Sequence, residues 1–387
     1  MWGYGYRGWL AAVGAFAVTL AAQPGEAADQ APPPLFTRAS TSPPGGSFWI
    51  EASYLYWSAK DDRLPALVTQ GGTGVLGAPS TVVAFGDSDV NGGWRSGARV
   101  RLGYWFDPAK RSGVDAHFFM LDRSATDFAA SSDGSTLLAR PFFNTNIGAQ
   151  DASFIASPGL LSGQISINDT SRLYGAGAAY RTEICANCAM GSVNGFVGYR
   201  YLHLRDKLQI ASTSVGAGNF AGFTFTTSEA FATTNHFHGL DLGLNGEIRQ
   251  GPWSLEWLAK VAVGATFNEL SINGSSGVTT GGVTTVTAGG LLAQPTNIGD
   301  FSRTRLAAVP EFSAKLGYQI TPAIHVFAGY DVMYWTGVVR PGGAIDTTVN
   351  ATQIGGGALV GAARPAAQFE TSNYWAHGAN FGIKTAF

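Results

Sequence analysis

Charge is what this chain has least of: 13% of its 387 residues are charged, about half the share of an ordinary soluble domain. The formal net charge of -2 gives no footing for nucleic acid. Two cysteines are too few for a disulfide scaffold or a zinc cluster. Beyond the first residues there is no run of roughly 18 apolar residues, which excludes a spanning helix. Helical periodicity is missing as well. In its place stand 52 glycines and 12% aromatics, and a composition of that kind points to an all-β protein.

The first residues carry an address. Arg7 precedes an apolar run from Trp9 to Ala21, and Gly25 and Ala27 put small residues at −3 and −1 of a cleavage site. Residues 1–27 therefore read as a secretory signal peptide cut after Ala27. Residues 28–46 are too rich in Pro and Ser to pack and read as a flexible lead-in. The folded unit is expected over 47–387.

Within that unit hydrophobicity alternates with period two, the signature of strands. "FWIEASYLYW" sets Phe48, Ile50, Ala52, Tyr54 and Tyr56 against Trp49, Glu51, Ser53, Leu55 and Trp57. "LDLGLNGEIR" sets Leu240, Leu242, Leu244 and Ile248 against Asp241, Asn245, Glu247 and Arg249. In "LYGAGAAYR", Tyr174 and Tyr180 bracket Ala176 and Ala178. About ten such segments follow one another, ending in "YWAHGANFGIKTAF". The connections alternate too. Short ones ("DPAKRSG", "EICANCAMG", "RQGP", "TPA") are separated by long ones over roughly 59–92, 123–169, 206–234, 272–303 and 338–372. Short turns on one side and long loops on the other describe an outer-membrane up-and-down barrel with both termini inside. The Gly/Thr-rich "NGSSGVTTGGVTTVTAGG" adds up to two strands if it extends the wall as a hairpin, giving twelve.

Energetics select the same architecture. A sheet in hydrocarbon must close on itself, because each unpaired backbone group there costs several kcal/mol. Lys or Arg facing lipid near the midplane costs about 2–4 kcal/mol, and the charges within these strands keep to the parity opposite the aromatics. The last strand, from Trp375 to Phe387, extends about 40 Å and spans roughly 30 Å when tilted, close to a bilayer core. Trp375, Phe381 and Phe387 thus form the girdle face of that strand. A C-terminal aromatic such as Phe387 is also the usual signal read by the barrel-insertion machinery, a partner expected during biogenesis alongside the outer-membrane bilayer.

Several stretches resemble the bacterial beta-barrel porin family numbered seven: "FWIEASYLYWSAKDDRLPALVT", "GVLGAPSTVVAFGD", "GFVGYRYLHL", "PEFSAKLGYQITPAIHVFAGYDVMYWTGVVRPGGAID" and the C-terminal strand. The resemblance runs in order from about Phe48 to Phe387. Arg340-Pro341-Gly342 with Ile345-Asp346 is its most specific piece. It implies an outer-membrane barrel and brings no catalytic residues.

The inner face collects Glu51, Arg99, Arg101, Asp115, His117, Arg181, Arg200, Asp241, Glu247, Arg249, Glu256, Lys260, Glu311, Lys315, Asp331 and Lys384. Two uses are open to it. Ten strands enclose little more room than eight, so pairs of opposite charge are a natural filling. The other use is a polar pathway whose arginines select anions. Cys185 and Cys188, spaced C-x-x-C in a periplasmic turn, are expected to form a small disulfide. His236 and His238 sit on the lipid-facing parity with no nucleophile motif, so no catalytic, cofactor or metal site is assigned and the chain is read as a non-enzyme. The expected function is a porin-like passive pathway for small polar solutes. The alternative is a closed, charge-plugged barrel acting as a structural or adhesive surface platform through its loops.

Overall fold

A computed structural model describes residues 48–188 and 191–387; the expected signal peptide and lead-in lie outside the described residues. Ten strands make the wall: β1 Phe48–Ala59, β2 Gly93–Trp105, β3 Ser112–Leu121, β4 Leu161–Cys188, β5 Gly191–Gly216, β6 Phe223–Gln250, β7 Trp253–Thr280, β8 Gly299–Gln319, β9 Ile324–Val339 and β10 Thr371–Ala386. Each pairs antiparallel with the next, and β10 pairs back onto β1 from Trp49↔Ala386 to Ala59↔Ala376. The ring is closed, with every wall strand paired on both sides over its lower rows; above them residues 299–310 of β8 pair with β7 alone.

The alternation sorts the side chains as a lipid-spanning wall requires. Outward positions are apolar and exposed, among them Tyr54, Val100, Leu102, Phe118, Leu240, Leu242, Val263, Leu316, Val332, Phe381 and Ile383. Two aromatic belts bound them. On the turn side Phe48 stacks on Phe387 and Trp253 meets Tyr318. On the loop side Tyr56 stacks on Trp94 and Tyr174 on His203, and Trp375 meets His377 at a tilt. Amphipathic rings suit the two headgroup levels, where one edge is wet and the other apolar.

The five long connections, whose fold the sequence leaves open, are largely structured. Residues 206–234 are mostly wall: β5 and β6 run straight through them, with a turn only at 217–222. β4, β6 and β7 are 28 residues each. The reason is physical: above the belt the outward face meets water, so Thr224, Thr226, Ser228 and Ala232 replace lipid-facing apolar residues. The hydrophobic contrast fades while the pairing continues. On β6 the wall above the belt rises roughly 30 Å. The Gly/Thr-rich segment does form a hairpin, with Val283–Ala288 paired to the end of β7 around Gly281 and Gly282.

Residues 124–132 continue the wall, paired to β4 from Ser171↔Ser124 to Gly163↔Ser132, and other outer segments turn inward. Strands 68–70, 82–85, 138–144, 149–156 and 348–349 assemble a five-stranded sheet that packs into the barrel mouth as a cap. Its core joins Leu67, Val68, Leu138, Phe142, Ile155 and Ile345 to the wall residues Ile165, Ile167, Leu208, Ile210, Phe231 and Ile272.

Candidate functional site

Among the described residues most of the buried charges line the lumen, and they are organised in layers. Nearest the short turns, Trp49, Glu51, Arg101, Glu247, Glu256 and Lys384 line a vestibule with a cavity of about 100 Å³. Lys384 Nζ stands 3.9 Å from Glu256, and Arg249 Nε 2.6 Å from Glu247.

Above the vestibule lies a dense ionic layer. Lys315 Nζ is 2.5 Å from Glu51 Oε1, Arg200 is 2.8 Å from Glu311, and Lys260 is 3.0 Å from Asp241 and 3.5 Å from Glu311. Arg99 pairs with Asp331, to which Asn380 also donates at 2.8 Å. Asp115 accepts from Arg181 and from Arg101, the latter at 3.5 Å. His117 Nε2 sits 2.6 Å from Arg200. Strand position makes these contacts informative. Arg99 on β2 and Asp331 on β9 are three strands apart around the ring, as are Arg200 on β5 and Glu311 on β8, and Glu51 on β1 and Lys315 on β8. Such partners meet by reaching across the lumen. Aromatic faces complete the environment, with Arg99 over Trp57, Arg200 over Phe119 and Lys315 over Phe327. Pairing of this kind is what makes buried charges tolerable, since a lone one would cost several kcal/mol.

The third layer is apolar. Leu55, Trp57, Phe119, Leu173, Leu202, Leu204, Phe237, Ala262, Val309, Met333, Trp335, Tyr374 and Ala376 form one cluster inside the barrel. Nine of the ten strands contribute to the full cluster, and Trp57, Phe237, Trp335 and Tyr374 are at most 1% exposed. Trp335 Nε1 is satisfied by Thr266 Oγ1 at 3.0 Å. One cation stands at this level: Arg95 on β2, directly opposite Trp57 in the ladder, is buried and donates to Ser171 Oγ at 3.4 Å.

The fourth layer is built around Arg340. At Gly337, whose φ of +76° is costly for any residue with a Cβ, the β9–β10 register slips. The bulge bends the end of β9 inward. Asn235 on β6 receives it, accepting from Val339 N at 2.8 Å and donating to Val339 O at 2.9 Å. Arg340 is thereby aimed at Asp206 on β5, 2.6 Å away, and donates to the carbonyls of Lys60 and Asp61. Asp62 in turn accepts from Gly342 N at 2.9 Å. A Cβ on Gly342 would lie 2.0 Å from Arg63 O, so only glycine fits. This level stands above the outer belt. Burial pushes the Asp62 carboxyl up to about 6 and the Asp169 carboxyl up to about 8; neither oxygen of Asp169 has a hydrogen-bond partner. Higher still, Glu229 on β6 holds the cap: one oxygen accepts from the amides of Leu291, Leu292 and Ala293, the other pairs with Arg140 at 2.5 Å.

The expected inner-face residues thus all stand on the lumen side. His236 and His238 do not join Asp241. They face outward, where His236 Nδ1 is 2.9 Å from Tyr201 Oη and His238 Nδ1 contacts Tyr199 Oη. Cys185 and Cys188 are bonded to one another. Sequence reasoning gave no role to Asp169, Asp206, Glu229 or Arg140, although the alternation Glu229, Phe231, Thr233, Asn235, Phe237 was there to be followed.

The family profile described as "Putative beta barrel porin-7" matches residues 49–387. The chain belongs to that family. It is thus a bacterial outer-membrane β-barrel of the porin-7 family, and its most specific motif, Arg340 to Asp346, is the segment that carries the chain from the wall into the cap. No curated protein matches the sequence. Solved structures similar to this porin-7 barrel include the outer membrane protease OmpT from Escherichia coli, with 9% identity, a TM-score of 0.42, and 90% of this chain and 100% of that chain covered. They also include the translocator domain of the autotransporter NalP from Neisseria meningitidis (10%, 0.28, 90% and 91%) and a Pseudomonas aeruginosa FadL homologue (8%, 0.23, 88% and 89%). At these scores none bears on what this chain does.

Proposed function

We propose that this barrel is a closed, membrane-anchored platform that presents its raised wall and folded cap at the cell surface. The observation that carries the reading is the apolar layer, a packed cross-section with contributions from nine strands and the buried Arg95 from the tenth. The ionic layer below and the cap above occlude the same axis. A second reading, a porin-like path for small polar solutes, is favoured by the charged vestibule at the turn side, and it requires the cap and the apolar layer to move aside. Single-channel recording of the refolded protein in a planar bilayer separates the two. The platform predicts a silent membrane while heat-dependent gel mobility shows a folded barrel. Stable current steps, with selectivity that shifts in R99Q/R101Q, would replace the platform by the pore.

A further inference from the structure

Among the described residues, four basic side chains have neither a hydrogen-bond nor an ion-pair partner: Arg123, Arg172, Arg205 and Lys207. Every other described Arg and Lys has a partner. The four are neighbours on the outer surface of β3 to β5. Arg172 and Arg205 are directly opposed across the β4–β5 ladder, and Lys207 stands two residues above Arg205. Arg123 lies beside Arg172, where the register slips as β3 continues into strand 124–132. Like charges in direct opposition destabilise a sheet unless an anion sits between them. Acidic groups are near but engage none of the four: Asp122 adjoins Arg123, Asp127 is held by Asn168, and Glu269 stands two strands on from Arg205.

The height of this patch says what the anion is. It lies one row above the outer belt, where Tyr174, His203 and His236 are in register, which is the headgroup level of the outer leaflet. Below that belt on β4 come Ala176 and then Ala178, flanked by Phe118 on β3 and by Tyr201 and Tyr199 on β5. Tyr174 separates Arg172 from these two small residues, so the shallow furrow between the aromatic ridges opens beneath the Tyr174 ring and continues down the hydrocarbon face.

We propose that this face binds a phosphorylated lipid of the outer leaflet, with Arg172, Arg205 and Lys207 on its phosphate and an acyl chain in the furrow over Ala176 and Ala178. Charge-assisted bonds from guanidinium to phosphate are short and strong, and the furrow distinguishes a lipid from a free anion. The lipid would act as part of the outer wall, relieving the repulsion between the opposed arginines.

Native mass spectrometry of the full chain in detergent tests this. A bis-phosphorylated acyl-glucosamine lipid, its dephosphorylated counterpart and inorganic phosphate serve as probes. The phosphorylated lipid should form a one-to-one adduct, weakened about fivefold in R205Q and about a hundredfold in R172Q/R205Q/K207Q, at about fivefold per cation near a headgroup. Heat-dependent gel mobility reports whether the triple variant folds; if it does not, R205Q alone decides. Equal affinity for the two lipids, unchanged affinity in the variants, or inorganic phosphate binding as tightly as the lipid would each overturn the proposal.

Discussion

Asp331 offers the sharpest test of a filled lumen. Its carboxylate is fully buried, accepts from Arg99 and Asn380, and faces a guanidinium that is 7% exposed. In D331A the Arg99 charge stays inside without its ion-pair partner, left with the Trp57 ring 5.4 Å away and with Glu311 and Glu51, which are already paired to other cations. Breaking one side of a buried pair costs about 3–5 kcal/mol, and the lost Asn380 bond adds about 1 kcal/mol. A loss of about 4–6 kcal/mol is therefore expected. The control is R99M/D331L, which removes both charges and keeps most of the volume. It should unfold within about 1 kcal/mol of the parent, because an apolar pair avoids the desolvation of two ions. The assay is urea unfolding from phospholipid vesicles, followed by fluorescence of the ten tryptophans and extrapolated linearly to water. A D331A loss below about 1 kcal/mol would refute the reasoning. So would a double variant as costly as the two single changes combined. Either result means a wet lumen that screens the pair, and the platform reading would fall with it.

Two further outcomes concern the cap. R340A leaves Asp206 without its cation and frees the carbonyls of Lys60 and Asp61. Limited proteolysis should then cut within 60–92 and 340–370 while heat-dependent mobility still reports an intact barrel; an uncut cap would show that Arg340 does not hold it. The buried Asp169 and Asp62 predict a pH effect. Their folded-state values, about 8 and about 6, lie above the ordinary 3.8, so the folded chain holds protons that the unfolded chain releases. Stability of this region should fall as pH rises from about 4 to about 8. Hydrogen exchange at pH 5 and pH 8 should show the drop in the parent and a flatter response in D169N.

The wall was readable in the residues because membrane and water sort a strand's two faces by opposite rules. Glu51, Arg99, Lys315 and Tyr54, Val100, Leu316 declare their sides by chemistry alone, and ten alternating segments became ten paired strands. The upper wall was not readable by the same signal: with water outside, Thr226 and Ser228 contrast weakly with Glu229 and Thr233. The partners of the lumen charges were hidden for another reason. Parity places Arg99 inside but is silent on which residue lies three strands away. The inward bend at Gly337 depends on Asn235, about a hundred positions earlier, and no local pattern announces it.

Arg99 and Asp331 lie 232 residues apart in the chain, and Glu51 and Lys315 264 apart. In space, each pair straddles the seam where β10 meets β1. Until that seam zips, neither pair can form, and Arg99 and Asp331 lack each other, although Glu51 has Arg101 and Lys315 has Glu256 on the neighbouring strand. Desolvation of Arg99 and Asp331 therefore waits for the docking of the last strand on the first. Filling and closure become one cooperative event. Any later fluctuation that parts the seam must also rehydrate two ion pairs, which makes the junction between the chain's two ends as hard to reopen as the middle of the wall.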